Sequence, residues 1–189
     1  MFFLSNNSES MKICIDYIQR YLKNIIISLI IFDKESSNIY KKLKEYKIPK
    51  MVFSNWKNRN ITCDKICDLC KEYKIDFIFL GFNKLLSGKI LNVYKNKIIN
   101  THPALLPSFK GVNAIEKAFD SDVRYIGMTT HFIDEYMDEG IIILQGLRKI
   151  TNQDIEIQKQ YYFSILVLII ISTIILVTND EIEIHQKKI

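Results

Sequence analysis

The chain has no internal repeat, no low-complexity tract and no stretch that reads as a linker. That excludes a solenoid or a string of modules and leaves one domain over residues 1–189, long enough to bury a real core. Charge of one sign never accumulates. The formal net charge is +5 and the lysines are scattered, so they read as solvated faces. Such a charge helps to draw in anionic small molecules but is too weak to argue for nucleic acid on its own, and no nucleic-acid partner is expected. Cysteines 14, 63, 67 and 70 do not form the framework of a secreted disulfide scaffold. The apolar start lacks the basic region of a signal peptide and polar residues follow at once, which makes the cytoplasm the default location. One long apolar run is present, over residues 161–177. It falls short of the roughly 20 residues that a spanning helix needs. It reads as a buried helix, or a helix running into a strand, and not as a membrane anchor.

Short apolar runs alternate with amphipathic stretches. Strands are expected over residues 1–4, 25–32, 50–53, 76–82, 97–100, 125–133 and 141–145, with helices over 9–22, 36–46, 62–73 and 113–119 and helical or mixed structure from about 153. This alternation predicts an α/β fold: a Rossmann-like open, mostly parallel central sheet with helices on both faces. Ligands in such sheets bind beyond the carboxyl ends of the strands.

The most informative stretch begins at one such end. Asn100 and His102 are two residues apart at a strand terminus, so they point to the same side, and Pro103 and Pro107 stiffen the exit. This presents a hydrogen-bond donor and a titratable ring to one ligand atom. A second segment, from Gly127 through His131, Asp134 and Asp138 to Gln145, supplies a carboxylate in a turn between two strands. Taken singly, Asn100 and Asp138 suit turns and a histidine at a strand end is usually structural. As one ordered pattern they point to chemistry. His131 lies within a strand pattern and reads as structural.

The run Asn100-Thr-His102-Pro103-Ala-Leu-Leu-Pro107, followed by Phe109-Lys110-Gly111, resembles the signature of the folate-dependent formyltransferases. The later His131-Phe-Ile-Asp134-Glu-Tyr-Met-Asp138-Glu-Gly140 run matches the same family in the same order. The version carrying Phe109-Lys110-Gly111 and Asn113-Ala114-Ile115 looks most like the phosphoribosylglycinamide formyltransferase group. The resemblance implies that an amine, that of 5'-phosphoribosylglycinamide, attacks the formyl carbon of 10-formyltetrahydrofolate, the co-substrate, with no metal involved. By the same resemblance Asn100 and His102 donate to the oxygen of the tetrahedral intermediate. His102 also carries a proton, while Asp138 holds it in its charged form and helps the amine proton leave, through water. Oriented donors at a developing oxyanion are a large catalytic term, and proton transfer near neutral pH suits histidine. The folate is expected at Asn83, Lys84, Leu85 and Leu86, with Arg59 near its tail, Asn100 at the formyl group and residues 133–137 on the pterin side.

The pattern departs from the family on the nucleotide side. The family's first strand ends in a glycine-rich loop whose backbone N–H groups hold the substrate phosphate. Here residues 5–10, Ser-Asn-Asn-Ser-Glu-Ser, have no glycine. Ser8 and Ser10 offer hydroxyls, while Glu9 brings negative charge to a phosphate position. Tyr161 and Tyr162 stand where the family has a Glu-His pair on the ribose. The competing functions are therefore a formyltetrahydrofolate hydrolase, with water in place of the amine, and a non-catalytic folate-binding paralogue. The spacing of Cys63, Cys67 and Cys70 matches a cluster-binding run of radical enzymes. In a helix, however, these positions share one face, so they are expected to pack in the core.

Overall fold

A computed structural model describes residues 1–5, 9–82, 84–136, 138–150 and 154–179. Seven strands order as β3-β2-β1-β4-β5-β6-β7 in one sheet. They are β1 (Phe2–Leu4), β2 (Ile30–Phe32), β3 (Lys50–Val52), β4 (Ile78–Gly81), β5 (Ile98–His102), β6 (Tyr125–Phe132) and β7 (Ile142–Lys149). The helices are α1 (Glu9–Tyr21), α2 (Asn38–Leu43), α3 (Arg59–Glu72), α4 (Lys89–Val93), α5 (Ala114–Phe119) and α6 (Ile155–Thr178). The pairs β1–β2, β2–β3, β1–β4 and β4–β5 are parallel, and β6–β7 is antiparallel. This is the open, mostly parallel sheet that the alternating pattern predicts.

The chain divides into two compact units, Met1–Asn100 with Phe132–Tyr136, and Thr101–His131 with Met137–Ile189. In the first, short strands buried on both faces (Phe2, Phe3, Leu4; Ile30, Ile31, Phe32) need no polar alternation, which is why they read as continuous apolar runs. Only Ile30–Phe32 of the expected 25–32 strand pairs, because ladder partners exist only where β1 and β3 run alongside. Asn58 caps α3 by accepting from the Ile61 N–H at 3.2 Å, and Ser37 caps α2 by accepting from Tyr40. Cys63, Cys67 and Cys70 lie fully buried on α3, against Ile66, Ile78 and Ile90. Burial pushes the Cys70 thiol up to about 12, which keeps it protonated and unreactive. The five-residue α4 has no counterpart in the sequence reading.

In the second unit, β6 and β7 carry α6 on one side. Gly146 leaves room for Ile165 and Ile169, Ile169 and Tyr162 share a core cluster with Ile126 and Met128, and Thr173 Oγ1 meets Thr130 Oγ1 at 2.7 Å. Asp154 caps α6 by accepting from Glu156 and Ile157. The run expected to be buried is a continuous helix to Thr178, with no strand after residue 161 within it, and only 33% of Lys159–Thr178 is buried. Its length and composition alone meet the requirement for a membrane span. It is apolar on every side, so packing on β6 and β7 covers one face and leaves Phe163 and Leu168 exposed.

Candidate active site

β5 is an interior strand, and Asn100 and His102 sit at its carboxyl end, with Asn100 in register with Leu80 of β4. Asn100 is half-buried, and the His102 ring is 5% exposed. Beyond His102 the chain runs through the Pro103–Gly111 loop, which β6 and β7 hold by a closed polar network. Thr129 Oγ1 donates to the Ala104 carbonyl at 2.7 Å and accepts from the Leu106 N–H at 3.1 Å. Gln145 Nε2 donates to the Leu106 carbonyl and to Thr129 Oγ1, both at 2.9 Å. Every buried polar group in this network has a partner, the condition under which such networks rigidify a loop.

The loop then turns back onto the histidine. Phe109 adopts a left-handed φ of 54° and its carbonyl meets His102 Nε2 at 2.9 Å. A carbonyl only accepts, so Nε2 carries the hydrogen. The other ring nitrogen, Nδ1, lies 3.3 Å from Asp138 Oδ2. Asp138 is itself left-handed, at φ 56°, a conformation Asp tolerates better than most residues. Its side chain is 8% exposed, and Oδ2 also accepts from the Gly111 N–H at 2.9 Å. The turn expected at Asp138 is therefore present, but its carboxylate points inward. His131 Nε2 faces the other oxygen, Oδ1, at 3.6 Å. The sequence reading treated His131 as part of the strand alone. The signal available there was its alternation with Thr129, which puts both side chains on one face of β6.

The residues at which the folate is expected fall in the first unit. Lys84 and Leu85 are exposed on an irregular segment, whereas Leu86 is buried in the apolar cluster that Phe82, Trp56 and Ile133 border. Asn83 lies outside the described residues, as does residue 137. Arg59 is the first residue of α3, and its Nε donates to Ser87 Oγ at 3.1 Å. Arg59 is thus a helix-start residue hydrogen-bonded beside the 84–87 segment.

On the nucleotide side, Ser8 lies outside the described residues, and Glu9 and Ser10 open α1. Ser10 is buried. The Glu9 carboxylate is taken by Lys42, whose Nζ donates to Oε1 at 2.7 Å and Oε2 at 2.8 Å. The negative charge read from sequence at this place thus has a cation on it. Tyr162 is buried, and burial, with Glu116 nearby, pushes its hydroxyl up to about 12. Tyr161 stacks under the Arg148 guanidinium at 3.5 Å. Both tyrosines are packing residues of the second unit.

Residues 1–161 match the model of the formyl transferase family. Phosphoribosylglycinamide formyltransferase of Bacillus subtilis is 29% identical over 155 residues, 80% of each chain. The crystal structure of phosphoribosylglycinamide formyltransferase from Bacillus halodurans is 28% identical, superposes with a TM-score of 0.84, and is matched over 91% of each chain. Formyltetrahydrofolate deformylase 2 of Arabidopsis thaliana is 46% identical over 92 residues, but that stretch is 48% of this chain and 27% of the deformylase. With the motif residues of β5 and the following loop drawn together around a buried histidine–aspartate pair, and with the match running over most of the length, this chain belongs to the formyl transferase family.

Proposed function

We propose that the protein transfers the formyl group of 10-formyltetrahydrofolate to the amine of phosphoribosylglycinamide, a step of purine biosynthesis, as a cytoplasmic enzyme with small-molecule partners and no nucleic-acid, membrane or metal requirement. The buried His102–Asp138 pair carries this reading. As the amine adds to the formyl carbon, charge develops on the formyl oxygen. Asn100 and the Nε2–H of His102 donate to it, the latter by exchanging the Phe109 carbonyl for the oxyanion. Nε2 meets the Phe109 carbonyl at 2.9 Å and Nδ1 lies 3.3 Å from Asp138 Oδ2, so the carboxylate balances positive charge on the ring while the amine proton passes through water to the folate N10, whose bond to the formyl carbon breaks as tetrahydrofolate leaves. Arg59 and the segment with Asn83, Lys84, Leu85 and Leu86 take the folate. Ser8, Glu9 and Ser10 take the phosphate side.

A turnover assay with 10-formyltetrahydrofolate separates the candidates. Formylation of phosphoribosylglycinamide is the expected outcome. Folate hydrolysis at the same rate without the amine would make the protein a hydrolase, a function for which the deformylase match is the support. Folate binding without either product would make it a non-catalytic paralogue.

The Glu9–Lys42 pair yields a second test. It is about half exposed, and such pairs contribute at most about 1 kcal/mol to stability. Glu9→Ser removes the like charge from the phosphate and frees Lys42, so the KM for the ribonucleotide should fall by about fivefold, the equivalent of about 1 kcal/mol between exposed charges. The folate KM and the melting temperature should stay unchanged. An unchanged ribonucleotide KM would remove Glu9 from the substrate site.

A further inference from the structure

We propose that His131 is a positioning residue that sets the orientation of the Asp138 carboxylate, and through it the proton held on His102; this rests on the reading of His102 and Asp138 as the catalytic pair. The two oxygens of Asp138 are used unequally. Oδ2 takes the Gly111 N–H at 2.9 Å and faces His102 Nδ1 at 3.3 Å. Oδ1 faces His131 Nε2 at 3.6 Å. The terminal torsion of an aspartate is broad and roughly two-fold, so nothing in the residue itself fixes which oxygen His102 meets. A second imidazole on the far oxygen removes that freedom. At 3.6 Å the contact is longer than a hydrogen bond, so it acts as a polar edge set against the oxygen, a part that a side-chain amide NH₂ can also play. A carboxylate only 8% exposed has little water to replace it.

The strand geometry agrees with this placement. β6 and β7 pair regularly from Tyr125 to Thr130, and the register slips between Thr130 and His131. The unpaired residue is Ile143 of β7, so β6 keeps its alternation through His131 while β7 bends beside it. His131 is 1% exposed and lies on the face of β6 from which Thr129 grips the catalytic loop. One strand face thus supports both halves of the site: Thr129 fixes the backbone after His102, and His131 the carboxylate behind it.

The experiment is a mutant cycle on formyl transfer, with His131→Leu and His131→Gln each made in the wild-type chain and in Asp138→Asn. In the wild-type chain His131→Leu should lower kcat by about 10- to 100-fold, the usual cost of losing a group that orients a reacting one, with the folate KM changed by less than about twofold. His131→Gln, which keeps a donor, should recover most of the loss. In the Asp138→Asn chain His131→Leu should cost little more, because its target is gone. Equal losses in both backgrounds, no rescue by Gln, or a loss confined to KM would overturn the inference and leave the catalytic pair standing. An Asp138→Asn chain of undiminished turnover would instead overturn the pair, and this inference with it. Should His131→Leu not fold, imidazole ¹⁵N resonances decide: those of His131 must shift together with those of His102 on Asp138→Asn, and unchanged His131 signals would overturn the positioning role.

Discussion

Asp138→Asn is expected to lower kcat for formyl transfer by roughly 100- to 10,000-fold, the usual range for general acid–base help, while folate affinity and fold persist. The backbone at φ 56° accepts asparagine as readily as aspartate. The amide is nearly isosteric, and its oxygen can still accept from the Gly111 N–H. What it cannot do is present a negative charge to His102 Nδ1, 3.3 Å away. With its oxygen in the place of Oδ2 the amide keeps both neighbours but brings no charge to them; turned over, it sets its NH₂ against the Gly111 N–H and loses both. In neither arrangement is a charged imidazolium balanced, so the loss belongs to the transition state and appears in kcat. His102→Ala removes the same unit from the other side. Combined with Asp138→Asn it should cost far less than the product of the single losses, since paired groups act together. Fully multiplicative losses would show two independent residues and end the pairing.

The pair was legible in the sequence because its parts lie in two ordered runs, and because the period of a strand puts Asn100 and His102 on one side. The fold was legible for a related reason: strands buried on both faces and helices with one apolar face leave different patterns. What stayed hidden depends on contacts between distant residues. The Phe109 carbonyl on His102 Nε2 arises from a left-handed turn that no residue type announces, since Phe rarely adopts it. The Lys42 cation on Glu9 comes from a different helix, so a loop read alone shows only the negative charge. The inward turn of Asp138 is likewise set by Gly111 and His102, not by its neighbours in sequence. The apolar run after Tyr161 misled in the other direction: composition fixes that it is apolar, but only the single face offered by β6 and β7 decides how much of it is covered.

Gly127→Ala is expected to destabilise the protein by about 1–3 kcal/mol, the range for overpacking a tight site, which for a chain of this size lowers the melting temperature by about 2–12 °C. A Cβ built at Gly127 would lie 2.4 Å from Leu105 Cδ2 and 2.5 Å from the Gly146 carbonyl oxygen. The leucine side chain can rotate away, but the carbonyl belongs to β7, whose residues Gly146 and Leu147 are in register with Met128 and Gly127. Relief therefore requires β6 and β7 to separate or Leu105 to move with its backbone. Leu105 is flanked by Ala104 and Leu106, the two residues gripped by Thr129 and Gln145, so a shift there reaches the loop that follows His102. Turnover should accordingly fall along with stability at temperatures well below melting. Gly111→Ala makes a control of opposite character. Nothing lies within 4 Å of its Cβ, but its φ of 79° is costly for alanine, so its penalty of about 1 kcal/mol comes from backbone conformation alone. The check is a pair of thermal melts with initial rates at 25 °C. A Gly127→Ala protein that melts with the wild type would show that β6 and β7 open without cost at this point, and the close packing of Leu105 against β6 could not then be what holds the catalytic loop.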